Sequence, residues 1–422
     1  MQTQFDALIV GAGPAGASAA ILLATAGWSV GLVERHVFPR SKVCGECVAA
    51  SNLPLLDALG VGADAMAHAG PELRRVALMR GTRIVEAALP EAATPWHAWG
   101  RAIARRTLDP LLLARARAVG AVVLQPWAVQ NVIGTAGRHL YAVCHTVSRR
   151  QAVLSAPVAI FAHGSWEHLP AEQSAHRLTV GASDLLAFRA NFAGSSLAAG
   201  LLPILAFNGG YGGMVLANNG VATLACCIRA DRLHALRRAT PGIPAGEVIE
   251  AMLKRECRGV AEALCGAARR SVWLASGPIA PGVHLREDDQ VFRIGNAAGE
   301  AHPIIGEGMS MALQSAWLLC ADLVDSRRRQ GGTGEAAWLA GVHERYAARW
   351  RGMFTPRMRI ASAFAHLAMR PAGSAALLAL LSRWPSLLTR GAAWSGKVES
   401  AIDTAAVAAQ RTLSGRLAPD LI

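Results

Sequence analysis

Gly11-Ala12-Gly13-Pro14-Ala15-Gly16 constrains this chain more than any other segment. It follows the apolar run Phe5 to Val10, which reads as a buried parallel strand. Gly11 and Gly13 free the backbone for a tight turn and let a diphosphate approach. Pro14 suits a first helical turn, where its missing N–H costs nothing. Ala15 and Gly16 are small, and Gly16 lets the helix pack closely on the strand. The predicted helix runs from Pro14 to Ala26 and stops at Gly27. Its N-terminal N–H groups and dipole favour phosphate. A second strand, Ser29 to Val33, ends in Glu34, where a carboxylate accepts ribose hydroxyls. Strand, glycine turn, helix and acid in that order predict a dinucleotide-binding unit.

A second glycine-rich segment, Ile294-Gly295-Asn296-Ala297-Ala298-Gly299-Glu300-Ala301-His302-Pro303-Ile304-Ile305-Gly306-Glu307-Gly308-Met309, lies near the far end of the chain. Phe292 to Ile294 reads as the strand that feeds it and Gly308 to Val324 as the helix that leaves it. The two segments read together as holding one FAD, the first on its ADP moiety and the second on its flavin end.

With 422 residues, 52% of them hydrophobic, the chain can build two or three domains with a large core. Net charge is +13, yet only three of the 42 basic residues are Lys. Arg-rich coding explains part of this. Attraction to a carrier protein, an anionic membrane surface or a phosphorylated substrate is the functional alternative. No basic-aromatic clustering points to nucleic acid. The first strand begins close to the first residue and no apolar stretch has spanning length, so neither a signal peptide nor a membrane span is expected. Eight irregularly spaced Cys are expected as reduced thiols of a cytoplasmic protein, with no paired spacing for a metal.

Further along, Val76 to Leu89 predicts two strands turning at Arg80-Gly81, and Arg105 to Gly120 a helix leading to strand Ala121 to Gln125. Tyr141 to His145 and Val153 to Phe161 read as strands. Met214 to Ala217 and Val221 to Arg229 flank Asn218-Asn219-Gly220 as a hairpin. Pro244 to Leu264 predicts one amphipathic helix, which Gly259 weakens in its later half. The last ninety residues or so read as helices broken at Pro356, Pro371 and Pro385. Their apolar, Arg-dotted faces either pack on the body, lie on a membrane or line the entrance for a lipophilic substrate.

Four segments make the chain resemble the single-component FAD-dependent oxidoreductases built like the aromatic hydroxylases, and within them the geranylgeranyl reductase and flavin-dependent halogenase branch. They are the fingerprint ending in Glu34 and Arg35; Phe38-Pro39-Arg40-Ser41-Lys42-Val43-Cys44-Gly45-Glu46, similar to the branch's flavin-side stretch; Ala104-Arg105-Arg106-Thr107-Leu108-Asp109; and the loop from Gly295 to Met309. The resemblance implies that Arg40, Cys44, Gly45 and Arg105 reach the cofactor. It also implies that position 296 bonds the ribityl chain, and that Pro303, Gly306, Gly308 and Met309 shape the turn at the flavin pyrimidine edge. It implies an α/β fold with a Rossmann-like FAD-binding domain (1–75, 101–174 and 276–330). A β-rich substrate domain (76–100 and 175–275) is inserted in it, and a helical C-terminal cap covers 331–422.

Departures from the family pattern carry weight. Position 296 is Asn rather than Asp; an amide can still bond a ribityl hydroxyl, so Asn296→Asp is expected to hold FAD at least as tightly. Ala162-His163-Gly164-Ser165-Trp166 replaces the family's "G-A-D-G" and removes a feature tied to direct NADPH use. The electron donor is therefore NAD(P)H binding transiently or a separately reduced flavin. Halogenation is a minor alternative: Trp96-His97-Ala98-Trp99 lacks the halogenase spacing, and Lys42, Lys254 and Lys397 are expected outside any substrate pocket.

Candidate catalytic groups are Tyr211, within Gly209-Gly210-Tyr211-Gly212-Gly213; His302, beside the flavin loop; and Cys47, which completes a C-x-x-C with Cys44. Glu307 is expected to face solvent or cap the following helix. Cys226 and Cys227, adjacent on a strand, are expected to face opposite ways. These features predict hydroxylation, with molecular oxygen, of an apolar or aromatic biosynthetic intermediate. The alternatives are saturation or dehydrogenation of a lipophilic or carrier-bound substrate, and a membrane-associated flavin-binding scaffold.

Overall fold

The computed structural model describes residues 2–92, 96–135, 137–165, 180–286, 291–328 and 335–395. Its centre is a five-stranded sheet in the order Phe292–Arg293, Val158–Phe161, Ala7–Val10, Val30–Val33, Val122–Leu124. Every neighbouring pair in it is parallel. Ala7–Val10 is wholly buried, as a strand covered on both faces must be. Helix Pro14–Thr25 packs against helices Arg105–Ala118 and Gly308–Arg328. Gly16 brings the helix close to the glycine turn instead: a Cβ there would clash with the Gly11 carbonyl oxygen.

An antiparallel sheet of Trp127–Thr135, Arg138–His145 and Gln151–Ala156 lies beside this core. The apolar run from Val153 to Phe161 is therefore two strands in two sheets. Pro157, which has no N–H to give a ladder, stands between them.

The larger sheet runs Ala268–Arg269, Leu185–Ala193, Ala222–Arg229, Gly210–Leu216, Leu201–Phe207, Arg75–Arg80, Arg83–Ala88, with Leu274–Ser276 also paired to Leu185–Ala193. Alternate residues serve two cores. Ala77, Met79 and Cys226 face Ile249, Met252 and Leu253 of helix Ala245–Glu256. Val76, Leu78, Tyr211 and Cys227 face the late glycine loop and the C-terminal helices. Cys226 and Cys227 thus point to opposite faces.

Two helical expectations need correction. The helix expected from Pro244 to Leu264 breaks at Cys257 into Ala245–Glu256 and Arg258–Ala263. The backbone there pairs with the turn at Gly81, whose N–H and carbonyl bond Glu256 and Arg258. Pro356 does not break its helix, which runs Glu335–Met369. The proline is exposed, while Trp350, Phe354, Met358, Ala361 and Ala365 anchor the opposite face. Pro371 and Pro385 do start new helices, Pro371–Arg383 and Ser386–Trp394. Among the described residues no single helix is long and apolar enough to cross a membrane; the pair spanning Ala336–Met369 and Pro371–Arg383 meets that test only jointly and is bent by 107°.

Candidate active site

The glycine turn after Ala7–Val10 is shaped for a diphosphate. Gly11 has φ +99°, and a Cβ there would meet the Ala162 carbonyl oxygen at 2.6 Å. Gly13 precedes helix Pro14–Thr25, and no side chain caps that helix end, which leaves its N–H groups for a ligand. A Cβ on Gly13 would meet only the Arg105 guanidinium, at 3.6 Å. The Glu34 carboxylate is buried at the end of the second strand. It accepts the Ala12 N–H at 2.9 Å and the His36 N–H at 2.8 Å, with Arg40 3.8 Å away. Arg35 is exposed and lines no described cavity.

Beyond the turn lies an inner cavity of about 430 Å³, lined far more by apolar than by polar atoms. It brings together Gly13, Ala15, Cys44, Gly45, Cys47, Arg105, Tyr211, Gly295, Asn296, Pro303, Gly306, Gly308 and Met309. Ile360, Phe364, Leu377, Leu381 and Leu388 of the C-terminal helices close it. A Cβ on Gly45 or Gly308 would meet nothing within 4 Å, so both edges are open cradles. Glycine turn, buried ribose-side acid and open late loop fit FAD.

At the nucleotide side, Arg105 forms a two-pronged ion pair with Asp109, at 2.6 and 2.7 Å. Burial opposes its charge, but Asp109 overrides that and holds its pKa above the ordinary value. Glu46 sits nearby with φ +57°. It accepts the Arg105 N–H at 3.0 Å and the Thr223 hydroxyl at 2.8 Å, and pairs with Arg189 at 2.7 Å. Neither Glu46 nor Arg189 was assigned a role from the sequence. An Arg inside the apolar strand Leu185–Ala193 was the available signal, because such a charge is buried only with a partner.

The late loop carries a second polar cluster. The Asn296 amide donates to Ser165 Oγ at 2.7 Å and to Glu300 Oε1 at 3.4 Å. Ser165 also donates to Glu300, at 3.1 Å, and the Ala280 N–H bonds its other oxygen. Burial raises the pKa of Glu300. Asn296 and Ser165, both departures from the family pattern, are thus one arrangement: the amide supplies the donor that a buried carboxyl group needs.

Tyr211 and His302 meet at 3.0 Å, between Oη and Nδ1. Tyr211 lines the inner cavity, whereas His302 lines a wider outer cavity of about 1170 Å³. Burial, and then His366, lower the His302 pKa to about 4, so the ring is neutral. Burial raises that of Tyr211, which stays a phenol. Cys47 lines the inner cavity, and no disulfide joins it to Cys44.

Two further expectations change. Lys42 does line the inner cavity, near Gly164 and Glu300. Glu307 is buried rather than solvent-facing, 4.0 Å from Arg357. Trp96 is exposed, while Lys254 pairs with Glu250 on a surface helix. Trp166 and Lys397 lie outside the described residues.

This fold and cavity are those of an FAD-binding protein. Residues 4–148 match the family model described as the FAD binding domain. The chain is 34% identical over 153 residues to a menaquinone reductase of Mycobacterium tuberculosis, a match covering 36% of this chain and 33% of that protein. It is 48% identical over 61 residues to a tryptophan 2-halogenase of Chondromyces crocatus, covering 14% and 12% of the two chains. These matches span a third or less of the curated relatives. Over nearly the whole chain the fold is similar to a myxobacterial chondrochloren halogenase (TM-score 0.71, 16% identity, 98% of this chain and 97% of that one). It is also similar to a geranylgeranyl bacteriochlorophyll reductase-like protein of Thermoplasma acidophilum (TM-score 0.68, 16% identity, 99% and 98%).

Proposed function

We propose that the chain is an FAD-dependent oxidoreductase that hydroxylates an apolar or aromatic substrate with molecular oxygen. The observation that carries this reading is the inner cavity: one apolar enclosure joins the late glycine loop to walls supplied by the large sheet and the C-terminal helices. FAD supplies the redox chemistry, carrying two electrons from a donor to oxygen or substrate. Gly13, the N-terminus of helix Pro14–Thr25 and Arg105 would hold the diphosphate, and Glu34 the ribose. The first N–H groups of helix Gly308–Arg328, at Gly308 and Met309, would face the flavin end, where negative charge develops on reduction. Leu377, Leu381 and Phe364 exclude water from above. Tyr211 donates to, or accepts a proton from, the substrate. The donor is NAD(P)H or a separately reduced flavin, since no second dinucleotide fingerprint is present in the sequence.

A second reading is saturation of a lipophilic substrate, favoured by Tyr211 because a neutral phenol backed by His302 can give a proton to a carbon centre. The partial likeness to menaquinone reductase supports it. In either case the substrate is lipophilic, and the C-terminal helices are the route of entry. Arg345 to Ser395 includes eight Arg and no acidic residue, and exposes Ile360, Leu367, Leu380, Trp384 and Trp394. That composition suits a peripheral contact with an anionic membrane surface or an acidic carrier.

The test uses FAD-loaded protein, a flavin reductase with NADH, and a panel of lipophilic aromatic and polyunsaturated compounds under isotopically labelled oxygen. Gain of one labelled oxygen atom supports hydroxylation, and gain of two hydrogen atoms supports saturation. Reduced FAD that modifies no compound by either route would overturn both.

A further inference from the structure

We propose that Tyr211 and His302 form a proton relay through the wall that separates the inner cavity from the outer one. The proposal rests on the reading that the inner cavity holds FAD and substrate. The two cavities share Glu300 and Ile279, and the Tyr211–His302 hydrogen bond crosses the same wall. Both side chains are nearly closed off, at 1% and 6% exposure. With Nδ1 engaged by Tyr211, Nε2 is the ring nitrogen left to serve the outer side. There the ring meets His366, centroids 5.6 Å apart, and His366 is exposed on helix Glu335–Met369. Arg229, Asp231, Arg359 and Arg370 also line the outer cavity, and such charged walls keep water at hand.

The groups facing the pair are consistent with passing a proton rather than storing charge. Cys227 stands beside Tyr211 across the strand pair, and burial pushes its thiol up to about 12, so it remains protonated. Burial likewise favours the protonated form of Glu300. A proton leaving the substrate side passes to Tyr211 Oη. Tyr211 gives its own proton to His302 Nδ1, and His302 releases its Nε2 proton to water in the outer cavity. One proton enters and one leaves, and no electron moves. The imidazole has then exchanged tautomers. Delivery of a proton inward runs the same steps backwards and restores the first tautomer.

A buried tyrosine held by a histidine for structural reasons alone would show the same hydrogen bond, so the test separates holding from passing. In FAD-loaded protein with isotope-labelled histidine, nuclear magnetic resonance should show His302 neutral, with its proton on Nε2, from about pH 5 to pH 8. Tyr211→Phe should redistribute its tautomers. His302→Gln keeps an acceptor for Tyr211 but cannot pass a proton. It should retain FAD, while proton release on anaerobic oxidation of the bound, reduced FAD by ferricyanide, read with an indicator dye, slows by on the order of a hundredfold. Added imidazole should restore part of that rate through the outer cavity. His302 titrating at the ordinary value, or wild-type proton release in His302→Gln, would overturn the relay while leaving the FAD reading intact. Wild-type protein that binds no FAD would overturn both.

Discussion

Glu46 and Arg189 form an ion pair of 2.7 Å between side chains that are 0% and 3% exposed, and it ties the flavin-side turn to the large sheet. Arg189 also reaches toward the Lys42 carbonyl, and Glu46 accepts from Thr223, so three stretches of chain converge there. Arg189→Met leaves a buried carboxylate without its cation and should cost about 3–5 kcal/mol in chemical denaturation. Glu46→Gln combined with Arg189→Met should recover much of that loss. Equal losses in the single and double variants would show that the charge pairing is not what holds the turn.

Gly13 and Gly16 separate ligand binding from folding. The space beside Gly13 is open except for Arg105, so Gly13→Val should keep the fold and lose FAD. Gly16→Ala instead forces a methyl group against the Gly11 carbonyl and should destabilise the protein by about 3 kcal/mol or more. Equilibrium dialysis with FAD and thermal melting of both variants check this contrast.

Asn296→Asp reverses the expectation drawn from family likeness. A carboxylate at 296 would face Glu300 where the amide now donates at 3.4 Å. Like charges there cannot both ionise at low cost. The variant should bind FAD more weakly above neutral pH than at mildly acidic pH, and Glu300→Gln added to it should restore binding. FAD titrations of the single and double variants, each at two pH values, measure this.

His302 gives stability a signed pH dependence. Its folded pKa, about 4, lies below the ordinary value of 6.5, so between these values the unfolded chain binds the extra proton. Its contribution is intact above about pH 6.5 and is lost as pH falls toward 4, by on the order of 3 kcal/mol in all. Denaturation across that range should show a steeper acid loss in wild type than in His302→Gln, and parallel curves would contradict the neutral ring.

The two glycine segments were legible because each is local: turn, helix start and neighbouring strand follow one another in sequence. The hairpin at Asn219, with φ +57°, was legible for the same reason. What the sequence hid is long-range. Tyr211 and His302 each drew attention separately, but their meeting depends on how the large sheet docks on the late loop. Strand Trp127–Thr135 escaped notice because a register shift between Val129 and Asn131 interrupts its alternation. Pro356 misled because burial of one helix face outweighs a missing hydrogen bond on the exposed face.

The central claim is that FAD and oxygen meet in an enclosure that excludes water. The most direct measurement is to reduce the FAD-loaded protein without oxygen, mix it rapidly with oxygenated buffer and follow the flavin absorbance. The account predicts that the oxidised absorbance returns in two phases, the second slow in wild type, faster in Leu381→Ala, and slow again there when added lipophilic ligand refills the cavity. Return in one fast phase, indifferent to ligand and to Leu381→Ala, would contradict it.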